Sequence, residues 1–350
     1  MGGQSILLTA LMFFVLVAVH EWGHFYFAKR AGVLVHEFAI GFGPKVFSFL
    51  KGETRYTLRL LPFGGFVKMA GESGADEQDV PLNRQFATKT VAQRALSIFA
   101  GPMMNFILAF ILFFSFAYLI GVPAGKATHT EIGSVIKDSP AEQAGLNKGD
   151  IIVAVNGDKI GTDVDKLISY IQKSTNQSLQ WEIKRDNTIQ TISVTPKDTD
   201  GKGAVGVSIL LPQPTKAPSI MKATQMAANS FVEGTKQIFI GFKMLVTLQF
   251  KLDDLGGPIR ITEYTSQAIQ SGFSTYVFWT AILSLYLGLF NLLPIPALDG
   301  SRLVFLLLEA LRGKPIEQGK ENIVHFIGFA LMMVLMITVT FNDIVRLIKG

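Results

Sequence analysis

The stretch "FFVLVAVHEWGHFYFAKRAG", Phe13 to Gly32, decides the class of this protein. Its apolar run is long enough for a membrane-spanning helix, which takes about 20 residues. Yet His20, Glu21 and His24 lie inside that run. Ionisable side chains within a span are costly and are usually functional. We therefore expect these three side chains to perform chemistry, with simple helix packing as the alternative.

The composition of the whole chain also indicates a membrane protein. Of its 350 residues, 49% are hydrophobic and 28 are Phe, and the mean hydropathy is +0.36. The net charge of +5 is modest and no basic block alternates with aromatic residues, so nucleic-acid binding is not expected. The absence of cysteine excludes disulfides, thiolate metal sites and a cysteine nucleophile. The opening "MGGQSILL" lacks the features of a cleaved signal peptide, which predicts a retained first span.

Hydropathy and basic residues together predict the topology. The predicted spans cover residues 6–27, 95–122, 276–293 and 323–344. Pro294 and Pro296 follow the third span and predict an unwound segment there. Residues 28–94 carry ten Lys or Arg, and residues 301–322, interpreted as a short loop, carry four. The positive-inside rule makes both segments cytoplasmic, so both termini and residues 123–272 are predicted to be extracytoplasmic.

Two stretches of the first cytoplasmic segment predict a β-hairpin. "FGPKVFSFL" and "TRYTLRLLPFGGFVKMAG" alternate apolar and polar residues and are punctuated by glycines. We expect the hairpin to lie against the membrane, because irregular backbone at membrane depth must be enclosed by protein or line a cavity. It is either an ordinary amphipathic hairpin or an element that contacts substrate, in which case Gly64 and Gly65 are candidates.

The polar segment between the second and third spans contains a separate domain. "GSVIKDSPAEQAGLNKGDIIVAVNGDKI" (133–160) resembles a PDZ domain, and a helix is predicted near 163–172. A PDZ domain binds an extended peptide by strand addition. The candidate residues are Val205, Gly206 and Val207. The alternative is a groove that is empty or that acts only as a steric gate. The following stretch, 217–252, predicts an amphipathic helix on the outer membrane surface.

These segments define a fold class and four domains. We expect a polytopic α-helical membrane protein of about four transmembrane helices, with a membrane-associated β-hairpin region and an inserted extracytoplasmic PDZ domain of the α+β type. The domains are an N-terminal membrane part (1–125), the PDZ domain (126–211), an extracytoplasmic amphipathic helix and linker (212–272) and a C-terminal membrane part (273–350).

The motif H-E-x-x-H in the first span predicts a metal site. Its two histidines, four residues apart on a helix, lie roughly 40° apart on one face, so both rings reach one ion. Glu21 is then the neighbouring carboxylate that accepts a proton from water. In soluble proteins this motif often occurs by chance on a surface helix without a metal. Inside an apolar span a functional metal site is favoured instead, because ionisable residues there are costly.

A catalytic zinc site needs a third protein ligand. None of the other histidines, His36, His129 and His325, lies in an obvious turn directed back at His20. We favour Asp299 in "NLLPIPALDGSR", where prolines and a glycine are expected to keep the chain out of helix. Lys29 and Arg302 follow the two motifs closely, which places both at a similar depth near the cytoplasmic face. The alternative is a plain Asp-Gly turn.

Two asparagines in the spans have different expected roles. Asn291, at the end of the third span, can donate to an oxyanion or hold the substrate backbone, although membrane asparagines also join helices by hydrogen bonds. Asn105, in "AGPMMN" of the second span, is expected to serve packing, because Ala100 and Gly101 allow a neighbouring helix to approach closely.

Taken together, the motifs resemble the bacterial site-2 proteases, in the branch of regulator-of-sigma-E proteases. The resemblance rests on the ordered motifs "HEWGH", "GFGP", "LPFGGFVKMAGE", "AGPMMN", the PDZ-like stretch, "GGPI" and "NLLPIPALDG". It implies an intramembrane zinc metalloprotease of the bacterial plasma membrane that cuts single-span membrane proteins, possessing one PDZ domain where better-known members can carry two. It also implies that His20, His24 and Asp299 bind Zn²⁺, that Glu21 is the base and that Asn291 contacts substrate. Substrates already trimmed by an upstream site-1 protease are the expected partners.

Two other classes of function compete with this interpretation. The first is a membrane-anchored PDZ adaptor with a non-catalytic metal site, although such a site has no need for the carboxylate of Glu21. The second is a metal-dependent transporter, which four spans without an internal repeat disfavour.

Overall fold

The computed structural model describes residues 3–72, 79–199, 201–247, 249 and 256–349. The chain divides into unit 1, Met1–Leu119 with Ser219–Gly350, and unit 2, Ile120–Pro218. The C-terminal end of the predicted 217–252 helix, residues 250–252, lies outside the described residues.

The helices and strands within the described residues are as follows. The helices are α1 (Gly3–Arg30), α2 (Val91–Ile120), α3 (Pro140–Gln143), α4 (Val164–Lys173), α5 (Ile220–Val246), α6 (Pro258–Ser271), α7 (Phe273–Leu292), α8 (Asp299–Arg312) and α9 (Gln318–Lys349). The strands are β1 (Val35–Lys51), β2 (Thr54–Met69), β3 (Val122–Pro123), β4 (Thr130–Val135), β5 (Ile151–Val155), β6 (Asp158–Lys159), β7 (Leu179–Arg185), β8 (Thr188–Val194), β9 (Lys197–Thr199), β10 (Lys202–Ala204), β11 (Val207–Leu210) and β12 (Thr215–Lys216).

Four helices of unit 1 are long and apolar enough to cross a membrane. They are α1, α2, α7 and α9, and the mean hydropathies of their most apolar windows are 1.9, 2.3, 1.5 and 2.3. The prediction of four apolar helices is confirmed. One expectation for this part of the chain is wrong: residues 301–322 are not a loop, because α8 occupies most of them. The stretch "LVFLLLEALR", followed by the C-capping Gly313, has the amphipathic pattern of a helix. The four basic residues of this segment had favoured a loop instead.

The strands β1 and β2 form one long antiparallel hairpin. Pairing runs from Lys51 with Thr54 at the turn to Val35 with Met69 at the base, with several register shifts between them. Gly52 opens the two-residue turn with a φ of +63°, a value that glycine adopts without steric cost. Large apolar side chains, Phe47 and Leu50 among them, are exposed on the distal half. Such a surface is what the predicted contact with a membrane requires.

Two apolar clusters hold unit 1 together. The first joins α1, the hairpin base, α2 and α8 through Ala28, Val67, Ile98 and Leu306. It therefore fixes the end of α1 against the segment that carries Asp299. The second cluster joins α2, α5 and α7, through the buried residues Ala109, Phe113, Ala227, Ala281 and Leu285. Small alanines at these contacts let the helices approach closely, as is common between membrane helices.

Unit 2 is built on a six-stranded antiparallel sheet. Its strand order is β11-β4-β5-β7-β8, with β6 paired to β5, so β11 is an edge strand. The core is centred on Trp181, which is fully buried. The helix predicted near 163–172 is α4, and the Asp163 side chain caps it by accepting from the backbone N–H of Lys166 at 2.9 Å.

A partly buried ion pair stabilises the same sheet. Arg185 donates from Nε and Nη2 to the two carboxylate oxygens of Asp150, both at 2.7 Å, and the backbone N–H of Asn147 donates to Oδ2 at 2.8 Å. Burial alone raises the pKa of the Asp150 carboxyl, but these hydrogen bonds outweigh burial and hold that pKa below its usual value.

Candidate active site

The apolar helix α1 places two imidazoles side by side. His20 and His24 are one helical turn apart and both are buried. Their ring centroids are 4.8 Å apart, the rings are nearly perpendicular at 84°, and the two Nε2 atoms are 3.2 Å apart. The rings therefore direct the same type of nitrogen at one point.

Asp299 meets this pair from the far end of the sequence. Its Oδ2 lies 3.2 Å from Nε2 of His20 and 3.3 Å from Nε2 of His24. The expectation that Asp299 lies in an unwound segment is wrong, because it is the first residue of α8. The unwound backbone is shorter and precedes it, between the end of α7 at Leu292 and the extended residue Leu298. A carboxylate is favourable in the first turn of a helix, where the backbone N–H groups are unpaired.

The three donor atoms form a set that suits a zinc ion. His20, His24 and Asp299 form the one group of three or more His, Asp or Glu among the described residues whose ligand atoms lie within 4.8 Å of one another. Oδ2 of Asp299 is buried, and its described polar neighbours are the two ring Nε2 atoms, neither of which meets it with hydrogen-bond geometry. A buried carboxylate oxygen that lacks well-formed hydrogen bonds is costly unless a cation satisfies it. Two imidazole nitrogens and one carboxylate oxygen are typical catalytic zinc ligands and leave a fourth position open.

Glu21 lies next to this group in a cavity of about 290 Å³, which we call the histidine cavity. Its lining includes the three donor side chains just described and, beyond them, Glu21, Gly65, Asn291 and Arg302. Glu21 is buried. The structure thus brings the predicted base into the same small space as the predicted ligands.

The two predicted hairpin glycines have different surroundings. A Cβ on Gly65 would lie 2.8 Å from Cγ of Glu21, so the strand backbone passes directly beside this side chain. Gly64 instead faces Phe42, whose ring would lie 2.3 Å from an added Cβ, and its φ is +75°. Gly65 therefore belongs to the histidine cavity, whereas Gly64 is not among the residues that line it.

Asn291 lies in the last turn of α7 and faces the histidine cavity. Its Nδ2 donates to the carbonyl oxygen of Leu287 in the same helix at 2.9 Å. That amide nitrogen is therefore engaged by its own helix. A substrate that uses it as a donor must share it with this carbonyl or displace it.

The predicted peptide-binding residues of unit 2 lie at and before its edge strand. Val205 is buried in the core, and its carbonyl oxygen accepts from the backbone N–H of Ala141 at 2.9 Å. Gly206 has a φ of +79° and accepts from the N–H of Ile136 at 2.9 Å. Val207 begins β11, which pairs with β4 on one side only. The strand edge, rather than the Val205 side chain, is the part that a peptide can reach.

The remaining histidines lie apart from the histidine cavity. His129 pairs with Glu131 in unit 2, at 3.4 Å. His325 accepts at Nδ1 from the backbone N–H of Ala297 at 3.0 Å, and thus supports the unwound segment before α8. His36 lies at the base of the hairpin, as the second residue of β1. None of the three is among the residues that line the histidine cavity.

Helix α2 touches both imidazoles, which the sequence interpretation missed. Nδ1 of His24 lies 2.9 Å from the carbonyl oxygen of Ser97. Because a carbonyl can only accept, Nδ1 carries the proton and Nε2 of the neutral ring is left unprotonated. Nδ1 of His20 lies 3.3 Å from Nδ2 of Asn105. Asn105 was expected to serve packing alone, and its place inside an apolar span is the signal that pointed to more.

Glycines make this helix contact close. A Cβ on Gly23 would lie 2.3 Å from the carbonyl oxygen of Ala100, and a Cβ on Gly101 would lie 2.3 Å from Nε2 of His24. Real Cβ atoms do not approach other atoms so closely, so both positions require glycine. The small residues of "AGPMMN" therefore bring α2 against the histidine face of α1.

An ion pair lines both the histidine cavity and a second cavity, of about 410 Å³. Nη1 of Arg302 contacts Oε1 of Glu72, and both residues line both cavities. Arg94 and Glu309 form a further ion pair on the wall of the second cavity, with nitrogen–oxygen distances of 2.5 and 3.0 Å. Charged side chains therefore line both of these cavities.

The chain is similar to known proteases along nearly its full length. The profile of peptidase family M50 matches residues 8–335. A zinc metalloprotease RasP from Oceanobacillus iheyensis is 38% identical, and the match covers 98% of this chain and 99% of the relative. The regulator of sigma-W protease RasP from Bacillus subtilis is 36% identical, with the same coverage of each chain.

A solved structure also matches part of the chain. The PDZ domain of an SdrC-like protein from Listeria innocua is 23% identical over 23% of this chain and 92% of that chain, with a TM-score of 0.21, which does not by itself establish a shared fold. The full-length matches confirm the predicted family, the predicted enzyme class and the predicted zinc cofactor. They also count against the adaptor alternative. The chain belongs to peptidase family M50.

Proposed function

We propose that this chain, a zinc metalloprotease of family M50, hydrolyses peptide bonds of single-span membrane proteins within or beside their membrane helices. The observation that carries the proposal is the convergence of Nε2 of His20, Nε2 of His24 and Oδ2 of Asp299 at the end of an apolar helix. These three residues would hold the zinc ion. When bound there, zinc supplies a Lewis acid that polarises a carbonyl oxygen and makes water nucleophilic near neutral pH.

Glu21 is the proposed general base. It lies in the histidine cavity, one residue after His20 in α1. Its carboxylate accepts a proton from the attacking water and then delivers that proton to the leaving nitrogen of the cleaved bond. The passage of the β2 backbone beside it at Gly65 restricts where the carboxylate can turn. Glu21 is thereby kept beside the reacting atoms.

Substrate binding is assigned to Asn291 and to the strand that carries Gly64 and Gly65. A peptide must leave its helix to be cut, because a helix shields its carbonyl groups and engages them in hydrogen bonds. An extended segment can pair with the hairpin backbone next to Glu21. The Asn291 amide, which also lines the histidine cavity, can then contact the substrate carbonyl or backbone.

Topology and domain roles are part of the proposal. The basic residues near the ends of the spans support a cytoplasmic position for the hairpin and for α8, with the active site near the cytoplasmic leaflet. Both termini and unit 2 are then extracytoplasmic, in a bacterial plasma membrane. Residues 126–211 are proposed to be a PDZ domain, in which the free edge of β11, beginning at Val207 after Val205 and Gly206, receives or filters a peptide.

The substrate class follows from one relative's name. Because the Bacillus subtilis relative is named a regulator of sigma-W protease, membrane-bound anti-sigma factors are proposed as substrates of this chain, with signal-peptide remnants as a second group. An upstream site-1 protease is proposed to trim such substrates first.

The test uses purified full-length protein in detergent and a labelled model membrane segment. Glu21→Gln is expected to abolish cleavage while zinc content is retained, because the amide cannot accept the proton. Glu233→Gln is the matched control, since Glu233 is exposed and pairs only with Lys236 at 2.7 Å among the described contacts. This control is expected to cleave at the wild-type rate. Cleavage that survives Glu21→Gln would contradict the proposed mechanism, and zinc binding without cleavage of any segment would favour a non-catalytic metal site.

A further inference from the structure

Asn105 is a polar side chain in the middle of an apolar helix. It lies in α2 and is 0% exposed. Burying an amide away from water is costly unless its polar atoms find partners. Nδ2 lies 3.3 Å from Nδ1 of His20, while Oδ1 is buried without a hydrogen-bond partner. Its backbone carbonyl accepts from Oγ of Ser284 at 2.8 Å, which ties this point of α2 to α7.

The role of Nδ1 in His20 depends on what its other nitrogen does. A neutral imidazole carries one proton, so a ring that offers the Nε2 lone pair to a cation must carry the proton on Nδ1. Metal-binding histidines almost always donate that second N–H to a carboxylate, a carbonyl or a water. In His24 the acceptor is the backbone carbonyl of Ser97, at 2.9 Å.

For His20, the side chain of Asn105 lies at Nδ1, and the backbone of Gly101, one turn earlier in α2, also hydrogen-bonds this ring. An amide has one acceptor, Oδ1, and one donor group, Nδ2, and a 180° rotation about the last side-chain bond exchanges them. With Nδ2 toward Nδ1, the ring must accept there and carry its proton on Nε2, which directs an N–H at Asp299. With Oδ1 toward Nδ1, the ring donates there and Nε2 is free for a cation.

We propose that Asn105 is a positioning residue for the metal site: its Oδ1 accepts from Nδ1–H of His20 and thereby presents Nε2 as a ligand. The inference rests on the proposed function, in which His20 binds zinc. Helix α2 then supplies the Nδ1 acceptor for both imidazoles, once from its backbone at Ser97 and once from a side chain. Only the second of these acceptors can be altered by substitution.

The test measures metal affinity rather than activity alone. Zinc affinity of the purified full-length protein in detergent is determined by competition with a chromophoric chelator, and Co²⁺ absorption reports the ligand geometry. Asn105→Leu has a similar size but no acceptor, and we expect it to weaken zinc binding by about 10- to 100-fold. Asn105→Asp keeps the acceptor and is expected to bind zinc at least as tightly as the wild type.

Two further measurements separate positioning from folding. Ser115→Ala is the control: this half-buried residue lies on the same helix, its hydroxyl donates to the carbonyl oxygen of Ile111 at 2.8 Å, and the substitution is expected to leave zinc affinity unchanged. Nitrogen-15 NMR of histidine-labelled, zinc-loaded wild-type protein reads the tautomer directly and does not depend on whether the leucine variant folds. We expect the His20 ring to be protonated at Nδ1.

The outcomes are distinct. An Asn105→Leu protein with wild-type zinc affinity, an Asn105→Asp protein as weak as Asn105→Leu, or a His20 ring protonated at Nε2 in the zinc-loaded state would each overturn the inference. Wild-type protein that binds no zinc would instead refute the proposed function. Wild-type cleavage, measured in the same preparation, therefore shows which of the two has failed.

Discussion

Replacing Gly101 by alanine tests the geometry of the site with a single methyl group. The added Cβ would lie 2.3 Å from Nε2 and 2.4 Å from Cε1 of His24. Non-bonded heavy atoms are most stable at about 3.5–4.0 Å, so the ring must withdraw by roughly 1 Å or more. The withdrawn nitrogen is the one that points at Asp299. The substitution is therefore expected to displace the His24 ring without replacing any of the three proposed zinc-binding residues.

The expected loss of activity exceeds the expected loss of stability. A displacement of 1 Å at reacting groups can cost about 100-fold in rate, which corresponds to roughly 2.7 kcal/mol at 1.36 kcal/mol for each tenfold. Overpacking costs about 1–3 kcal/mol of folding stability. Alanine recovers about 1 kcal/mol of that through its higher helix propensity. We thus expect a folded protein that has lost most of its cleavage rate and part of its zinc affinity.

The assay compares two glycine substitutions in full-length protein in detergent. Gly101→Ala and the control Gly241→Ala are measured for cleavage of a labelled membrane segment, zinc affinity and thermal unfolding. Gly241 lies in α5 with open space around its Cβ position, so its alanine variant is expected to remain fully active and to gain up to about 1 kcal/mol of stability. Wild-type cleavage and zinc affinity in a folded Gly101→Ala protein would refute the described contact between α2 and His24.

Four further predictions concern unit 2 and the metal. The pKa of the Asp150 carboxyl is lowered in the folded chain. The stabilisation that this carboxylate contributes is therefore complete above its unfolded pKa of about 3.9 and is lost as the pH falls through its folded pKa. Hydrogen exchange of the full-length protein is expected to show that the sheet opens more readily below about pH 4. Asp150→Asn is expected to cost about 1.5–3 kcal/mol at neutral pH, measured by thermal unfolding, because the hydrogen bonds from partly exposed Arg185 lose their charged acceptor. Gly206→Ala is expected to lower the unfolding temperature, because Cβ would lie 2.4 Å from Cβ of Ser139 at a φ of +79°; an unchanged unfolding temperature would contradict that backbone geometry. Removal of zinc by a chelator is expected to stop cleavage, and added zinc to restore it, whereas activity in the chelated protein would contradict the metal requirement.

The four apolar helices and the pairing of His20 with His24 could be predicted from local sequence alone. Hydropathy over a window reports burial in lipid, and a spacing of four residues reports a shared helix face. The hairpin and the helix near 163–172 follow from equally short patterns. In each case the pattern that predicts the element lies within one turn, one strand pair or one span. The prediction therefore does not depend on contacts between distant segments.

Other features depend on contacts between segments that are far apart in the chain. The start of α8 at Asp299 was missed because basic residues made the following segment resemble a loop, and only packing of Leu306 against α1, β2 and α2 shows what this helix buries. The closeness of Gly101 to His24 and of Asn105 to His20 also arises from the crossing of two helices. Spacing along one helix says which of its residues share a face, but not which residue of another helix meets them. That choice is made by steric fit in three dimensions, which is why the pairing of His20 with His24 could be predicted from the sequence and its supporting contacts could not.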